Sequence, residues 1–464
     1  MKPSILFCFI GLGAALNLVP SRPTKKFELN LTWDTKAPDG VERQQALING
    51  QFPGPPLVVD EGDDVEVTVN NFLPYNTTMH WHGIECADSI LINGKGRVRC
   101  LDPAYLTSLT PPPLTYLLQG MNYTAKGCLP VRNTFAQTTF AQHNYTAIPP
   151  SMFDQCKATE STEEVIKVNP LEGWALSLNN GARYSVLVQL NKTPGNYLLT
   201  AANSGINQKV AGYSTFSYVN GDPSVVGKPS IDYGGNSLST DVVVLDETTI
   251  KPLIPSRPSE QADQTYLLSV GRIEKAWKWS LNGDHSYGMS MESEKPMLWD
   301  PQSQADSNLV IATNNDTWVD IVFAVSGEAK NIQPGHPIHK HSNRVYVLGV
   351  GTGQFNWTSV AEAQQEIPEM FNLVDPPMRD TFTTLPALEA PSWMAVRYHV
   401  QNPGAFFLHC HIDPHLTGGM ALAILDGIDA WPRIPPQYGP KGHWGKAGQI
   451  ENTIDIDVRD GYQG

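Results

Sequence analysis

The stretch "NPGAFFLHCHIDPHLTGGMALAILDG", residues 402–427, decides the kind of fold this chain adopts. Asn-Pro-Gly signals a turn, and an apolar run follows it. A second apolar run, Ala421 to Leu425, follows the Gly418-Gly419 pair. Short apolar runs bounded by turn residues read as paired strands rather than helix. The first run ends in His409-Cys410-His411. Successive side chains on a strand point to opposite faces, so His409 and His411 share one face and Cys410 takes the other. One metal can bind through the thiolate while another lies behind it, and the backbone joins the two.

Other stretches repeat the strand pattern. In "PLVVDEGDDVEVTVNN" (56–71), Val alternates with acids and Thr, as half-buried strands do. "RYSVLVQLNKTPGNYLLTAANS" (183–204) reads as strand, Pro-Gly turn and strand, and "TWVDIVFAV" (317–325) as a further strand. Long helices are not evident. The pattern predicts an all-β protein of tandem antiparallel β-sandwiches. A marker recurs as "LING" at 47–50, "LING" at 91–94 and "SLNG" at 280–283. Asn-Gly is a common turn pair, but the contexts match, so the marker reads as equivalent points in three related domains. The markers lie 44 and 189 residues apart. A β-sandwich needs roughly 100 residues, so the first unit is too short. The expected organisation is a leader at 1–20, a truncated first domain at 21–86, a second domain at 87–246, a Pro-rich linker at 247–263, a third domain at 264–435, and a tail at 436–464 without a convincing strand pattern.

The net charge of −14 argues against nucleic acid or an anionic membrane as partner. The N-terminus, "MKPSILFCFIGLGAALNLVPS", has one Lys, an apolar run too short to span a bilayer, and then small residues. It reads as a secretory signal cleaved between Ala15 and Ser21. Seven N-x-[ST] sequons, at Asn30, Asn76, Asn122, Asn144, Asn191, Asn315 and Asn356, fit a glycosylated protein that is secreted, extracellular or in the cell wall. Cys86, Cys100, Cys128 and Cys156 allow up to two disulfides there, with Cys128–Cys156 preferred and Cys86 unpaired. A monomer is expected.

Eight of the twelve histidines fall in three clusters: His80 and His82 in "HWH"; His336, His339 and His341 in "HPIHKH"; His409, His411 and His415 around Cys410 in "HCHIDPH". His143, His285, His399 and His443 are isolated and read as ordinary surface or core residues. Each H-x-H pair shares a strand face. His₂Cys ligation with a weak axial Met defines a blue copper site, and His336, Cys410, His415 and Met420 supply that set. The remaining imidazoles suit a copper cluster that binds oxygen. Zinc would not explain three histidine clusters around a single Cys.

"HWHGIE", "ILINGKGRVRC", "LLQGMNYTAKGCLP", "HPIHKHSN", "RDTFTTLPA" and residues 402–427 together resemble the multicopper oxidases, in the fungal laccase-like branch and most closely the ascomycete laccases of pigment formation. The resemblance covers most of residues 27–435. It implies three cupredoxin-like Greek-key domains, up to four copper ions, and one-electron oxidation of phenolic or related donors coupled to reduction of dioxygen to water. It assigns the blue copper to His336, Cys410 and His415 with Met420 axial. The single cluster copper takes His80 and His339, and the paired coppers take His82, His341, His409 and His411. Asp413 stands where the family keeps a carboxylate that assists proton delivery, and reducing oxygen consumes protons.

One departure stands out. The family carries a second H-x-H pair late in its first domain, and this chain has none. After "HWHGIE" it passes through Cys86 directly into "ADSILINGKGR". Two ligands of the paired coppers are therefore missing, and impaired oxidase activity with fewer than four coppers is expected, together with an exposed sheet edge. A copper-binding or electron-transfer remnant is one alternative. A ferroxidase is another, although "AKNIQPG" (329–335) lacks the acid that fungal iron oxidases carry there.

Overall fold

A computed structural model describes residues 24–37, 42–59, 65–74, 80–82, 86–87 and 96–100; 169–245 except 171–173, 185–191, 203–210, 226–229 and 233–235; 250–431 except 253–255, 274–277, 289–296, 300, 302–307 and 328–332; and 453–458. The leader, Cys128, Cys156, His143, His443 and the sequons at Asn76, Asn122, Asn144 and Asn191 lie outside these residues.

In the first part, β1 (Lys25–Lys36) pairs antiparallel with β2 (Arg43–Ile48) and parallel with β3 (Val65–Asn71). Leu29, Leu31, Val65, Val67 and Val69 bury a small core with the period of two that the alternating sequence carries. The first Asn-Gly marker forms the exit of β2, with Asn49 at φ 50° and Gly50 at φ 71°. Such left-handed backbone favours Asn and Gly. β4 (Cys86–Ala87) pairs antiparallel with β5 (Gly96–Cys100), and the backbone of Cys86 lies opposite Cys100. Their side chains lie outside the description, so the expectation for Cys86 does too.

In the second part, β6 (Asn169–Pro170), β8 (Asn196–Ala202) and β9 (Ala211–Ser217) form one small sheet. β7 (Trp174–Ala175) and β10 (Val243–Val244) form another.

The third part is the largest described body. It contains β11 (Gln264–Arg272), β12 (Trp279–Ser280), β13 (Val310–Ala312), β14 (Trp318–Val325), β15 (Pro337–Lys340), β16 (Val345–Thr352), β17 (Met378–Arg379), β18 (Thr381–Thr383), β19 (Ser392–His399), β20 (Gly404–Cys410) and β21 (Ala421–Asp426). Two short helices interrupt them, α1 (Val360–Glu366) and α2 (Asp413–Thr417). One sheet runs β12-β11-β14-β19-β16-β17 and the other β13-β21-β20-β15-β18. β11 and β14, and β13 and β21, pair in parallel, so the sheets are mixed rather than purely antiparallel. The alternation expected for half-buried strands gives way to full burial in β14 and β19. Val319, Ile321, Phe323, Met394, Val396 and Tyr398 join the main core. Val322, Trp393 and Ala395 on the opposite face pack beneath Val360 of α1. Asp320 and Arg397, directly opposite across β14 and β19, form a buried ion pair at 2.6 and 2.8 Å.

The tail departs from expectation. Residues Thr453–Val458 form β22, which pairs antiparallel with β3 and parallel with β5. The first sheet therefore runs β2-β1-β3-β22-β5-β4, and the tail strand pairs with β3. Alternation in "TIDIDV" is the local signal for this strand, and a six-residue run is short enough to be passed over. This architecture is all-β, with cupredoxin-like sandwiches in tandem.

Candidate metal centre

β15 and β20 are neighbours in register, and that register builds the centre. Ile338 lies opposite Cys410, and His339 opposite His409. Strand parity then sends Cys410 and Ile338 into the main core while His339 and His409 face the other way.

On the core side, Cys410 Sγ lies 3.5 Å from His415 Nδ1 and 3.9 Å from His336 Nδ1. The two Nδ1 atoms are 3.2 Å apart. All three side chains are buried. Met420 is fully buried in the same core. Its carbonyl accepts from the Cys410 N–H, and its own N–H donates to the His415 carbonyl. Burial, with a smaller effect of Arg272, pushes His336 down to about 3. Burial likewise holds His415 well below the usual histidine range, with His336 and Arg272 adding to it. Neutral imidazoles keep a lone pair free for a metal.

On the other side, six histidines from two regions of the chain converge. His80 Nε2 lies 3.0 Å from His339 Nε2. His341 Nε2 lies 3.2 Å from His409 Nε2. The His80 ring stacks on His341 at 3.7 Å, and the His82 ring on His339 at 3.9 Å. His411 stands 5.2 Å from His82, centroid to centroid. Two groups, His80/His82/His339 and His339/His341/His409, each bring their donor atoms within 4.8 Å of one another. His80 is exposed on its outer side yet desolvated where it meets the other rings, which with His82 lowers it to about 3. Burial takes His82 and His409 to about 4 and puts His339 and His341 well below the usual value. A soft thiolate with imidazoles on one face and imidazoles alone on the other is a donor set that fits copper. Asp413 opens α2, two residues before His415. His285 and His399 stand apart, each beside an acid, Asp284 and Asp316.

Sequence reasoning passed over several residues that touch this centre. The Trp279 ring packs on His415 at 4.0 Å and edge-on to His336 at 5.5 Å. The Gln333 Oε1 faces His336 Nε2 at 3.1 Å. His336 therefore presents no edge to solvent, whereas His415 keeps 9% exposure. Lys340, between two cluster histidines, is buried and paired with Asp426 at 2.7 Å. Asp380 and Thr381 bracket His339: the Asp380 carbonyl meets its Nδ1 at 2.9 Å and Thr381 Oγ1 at 3.1 Å. The "RDTFTT" stretch, and Lys340 inside "HPIHKHSN", carried a signal in sequence as part of the resemblance; the rest depends on which loops meet.

Two segments, 30–100 and 276–429, match domain signatures described as multicopper oxidase. Laccase abr2 of Aspergillus fumigatus is 33% identical over 580 residues, spanning 91% of this chain and 97% of its own. Laccase-1 of Emericella nidulans is 29% identical, spanning 92% of this chain and 99% of its own. Among solved structures, the laccase from Botrytis aclada superposes with a TM-score of 0.57 at 17% identity, covering 89% of each chain. Fet3p, titled a multicopper oxidase that functions in iron import, superposes at 0.53 and 16% identity, covering 87% of this chain and 90% of its own. The fold and the paired donor sets define a copper-dependent oxidoreductase. The chain belongs to the multicopper oxidase family.

The first of these alignments carries a further fact. About 420 residues, 91% of this chain's 464, are spread over 580 aligned positions, so about 160 positions have no counterpart here.

Proposed function

We propose that this chain is a laccase-like oxidase by descent, secreted and glycosylated, acting on phenolic or related donors in pigment formation, with a copper cluster left incomplete. The observation that carries the reading is the placement of Cys410 beside His336 and His415, with His409 and His411 on the opposite strand face. Bound copper supplies one-electron redox chemistry between an organic donor and dioxygen. The protein holds His336, Cys410, His415 and Met420 for one ion, and His80, His82, His339, His341, His409 and His411 for the rest. Residues 409–411 link the two sides covalently. With His336 sealed by Gln333, donors pass electrons at the His415 side. Asp413 stands where the family keeps a carboxylate that assists proton delivery. Four one-electron donor oxidations and four protons balance each dioxygen taken to two waters.

Four of the six paired-copper histidines are present, so oxygen is poorly held and turnover is slow. The reading of this chain as a copper-binding remnant is favoured by the lack of a second H-x-H pair in the sequence. Copper counting after reconstitution separates the readings. Near four ions marks a competent oxidase, one or two a remnant, and none contradicts both. Cys410→Ser tests the thiolate directly. It should abolish the intense visible band of a copper–thiolate pair, and a surviving band overturns the assignment.

A further inference from the structure

Most of the second part of the chain lies far in sequence from any histidine cluster, yet one of its turns reaches the cluster. Asn180 Nδ2 donates to the His411 carbonyl at 3.2 Å. Gly181, at φ +81°, sits so close to His411 that an added Cβ would fall 2.6 Å from its Cδ2. The Gly181 carbonyl lies beside His82 and accepts from Arg183 Nη1 at 2.9 Å. Arg183 then grips Asp380 with two parallel bonds, at 3.0 and 2.6 Å. Both side chains are largely buried, at 18% and 9% exposure. The same Asp380 offers its carbonyl to His339, and its neighbour Thr381 lies 3.3 Å from His82.

Three cluster histidines from two distant parts of the chain thus lean on one four-residue turn and the ion pair that anchors it. Gly is required at 181 twice over, by its left-handed backbone and by the approach of the His411 ring. The bidentate fork holds position as well as charge, which a point-charge Lys would not. Groups behind metal ligands fix ring orientation, and their loss typically weakens metal binding about 10–100-fold.

We propose that the turn Asn180–Arg183, clamped by Asp380, is a positioning element for the non-blue copper ligands His82, His339 and His411. This inference rests on the reading of those histidines as copper ligands. The test loads copper into the full chain and into Gly181→Ala, Arg183→Gln and Arg183→Lys. It measures copper stoichiometry, the electron paramagnetic resonance signal of non-blue copper, and thermal unfolding, with the visible blue band as internal control. Gly181→Ala and Arg183→Gln should weaken non-blue copper at least tenfold and broaden its signal, with the blue band unchanged and a single cooperative unfolding transition retained. Arg183→Lys should fall between them and the parent. Parent-like affinity and signal in both variants overturn the proposal, as does loss of blue and non-blue copper in step. A parent that takes up blue copper alone instead contradicts the ligand reading itself, and the proposal with it.

Discussion

At the scale of single residues, the centre depends on side chains held in one protonation state and one orientation. Trp279 shows how. Its ring lies against His415, its backbone N–H donates to the Gly418 carbonyl at 2.9 Å, and the Arg272 guanidinium sits 5.4 Å from the ring centre. Trp279→Ala should destabilise the protein by about 3–5 kcal/mol, as large-to-small core changes do, and should open the His415 side to water. Denaturant unfolding with and without copper checks this, and a change under 1 kcal/mol would leave Trp279 without a packing role. The histidines make a second prediction. Folded values near 3 for His336 and near 4 for His409 lie below the unfolded value of 6.5. Between those values the unfolded chain binds more protons than the folded one. Stability is therefore full above pH 6.5 and falls as pH drops toward 4, by about 1.4 kcal/mol per pH unit for each such histidine. Copper-free melting curves across that range should show the decline. A flat copper-free profile would mean these rings are not buried neutral.

Elements bring those residues together. The H-x-H spacing and the Cys between two histidines were legible because strand parity is a local rule, and β15 and β20 obey it. Harder to read were long-range partners. Lys340 lies inside the "HPIHKH" motif, where its sequence neighbours point to the copper cluster. The structure instead turns it inward to Asp426, which also accepts from Tyr398 at 2.8 Å, Thr313 at 2.9 Å and Asn343 at 3.0 Å. No local pattern predicts that four side chains from three separate segments meet one carboxylate. Lys340→Met should cost about 3–5 kcal/mol, since it leaves Asp426 buried without its cation. The Lys340→Met/Asp426→Leu pair should recover much of that loss. Urea titrations of the two variants decide, and equal stabilities would show the ion pair to be dispensable. The tail strand β22 was missed for a similar reason, because its partners β3 and β5 are far upstream. A paired edge at β3 protects against sheet-to-sheet association, so removing residues 453–458 should raise aggregation in light scattering.

For the whole molecule, the spacing of the Asn-Gly markers was the most informative signal. The first and third both form strand-exit turns with positive-φ glycines, at Gly50 and Gly283. The short interval between the first two is the basis for expecting a first domain that lacks its closing strands. The sequence reading expected His80 and His82 to dock against the third part, and the rings do meet there. That contact depends on shape across the chain, and His80 reaches His339 at 3.0 Å. The central claim is a complete blue copper site beside an incomplete cluster. Its most direct test compares this chain with a version carrying the missing segment and its second H-x-H pair, by copper count and rate of phenol oxidation under oxygen. The account predicts an equal blue band in both, fewer than four coppers in this chain, and far slower oxidation than in the restored version. Four coppers and a comparable rate in this chain would contradict it.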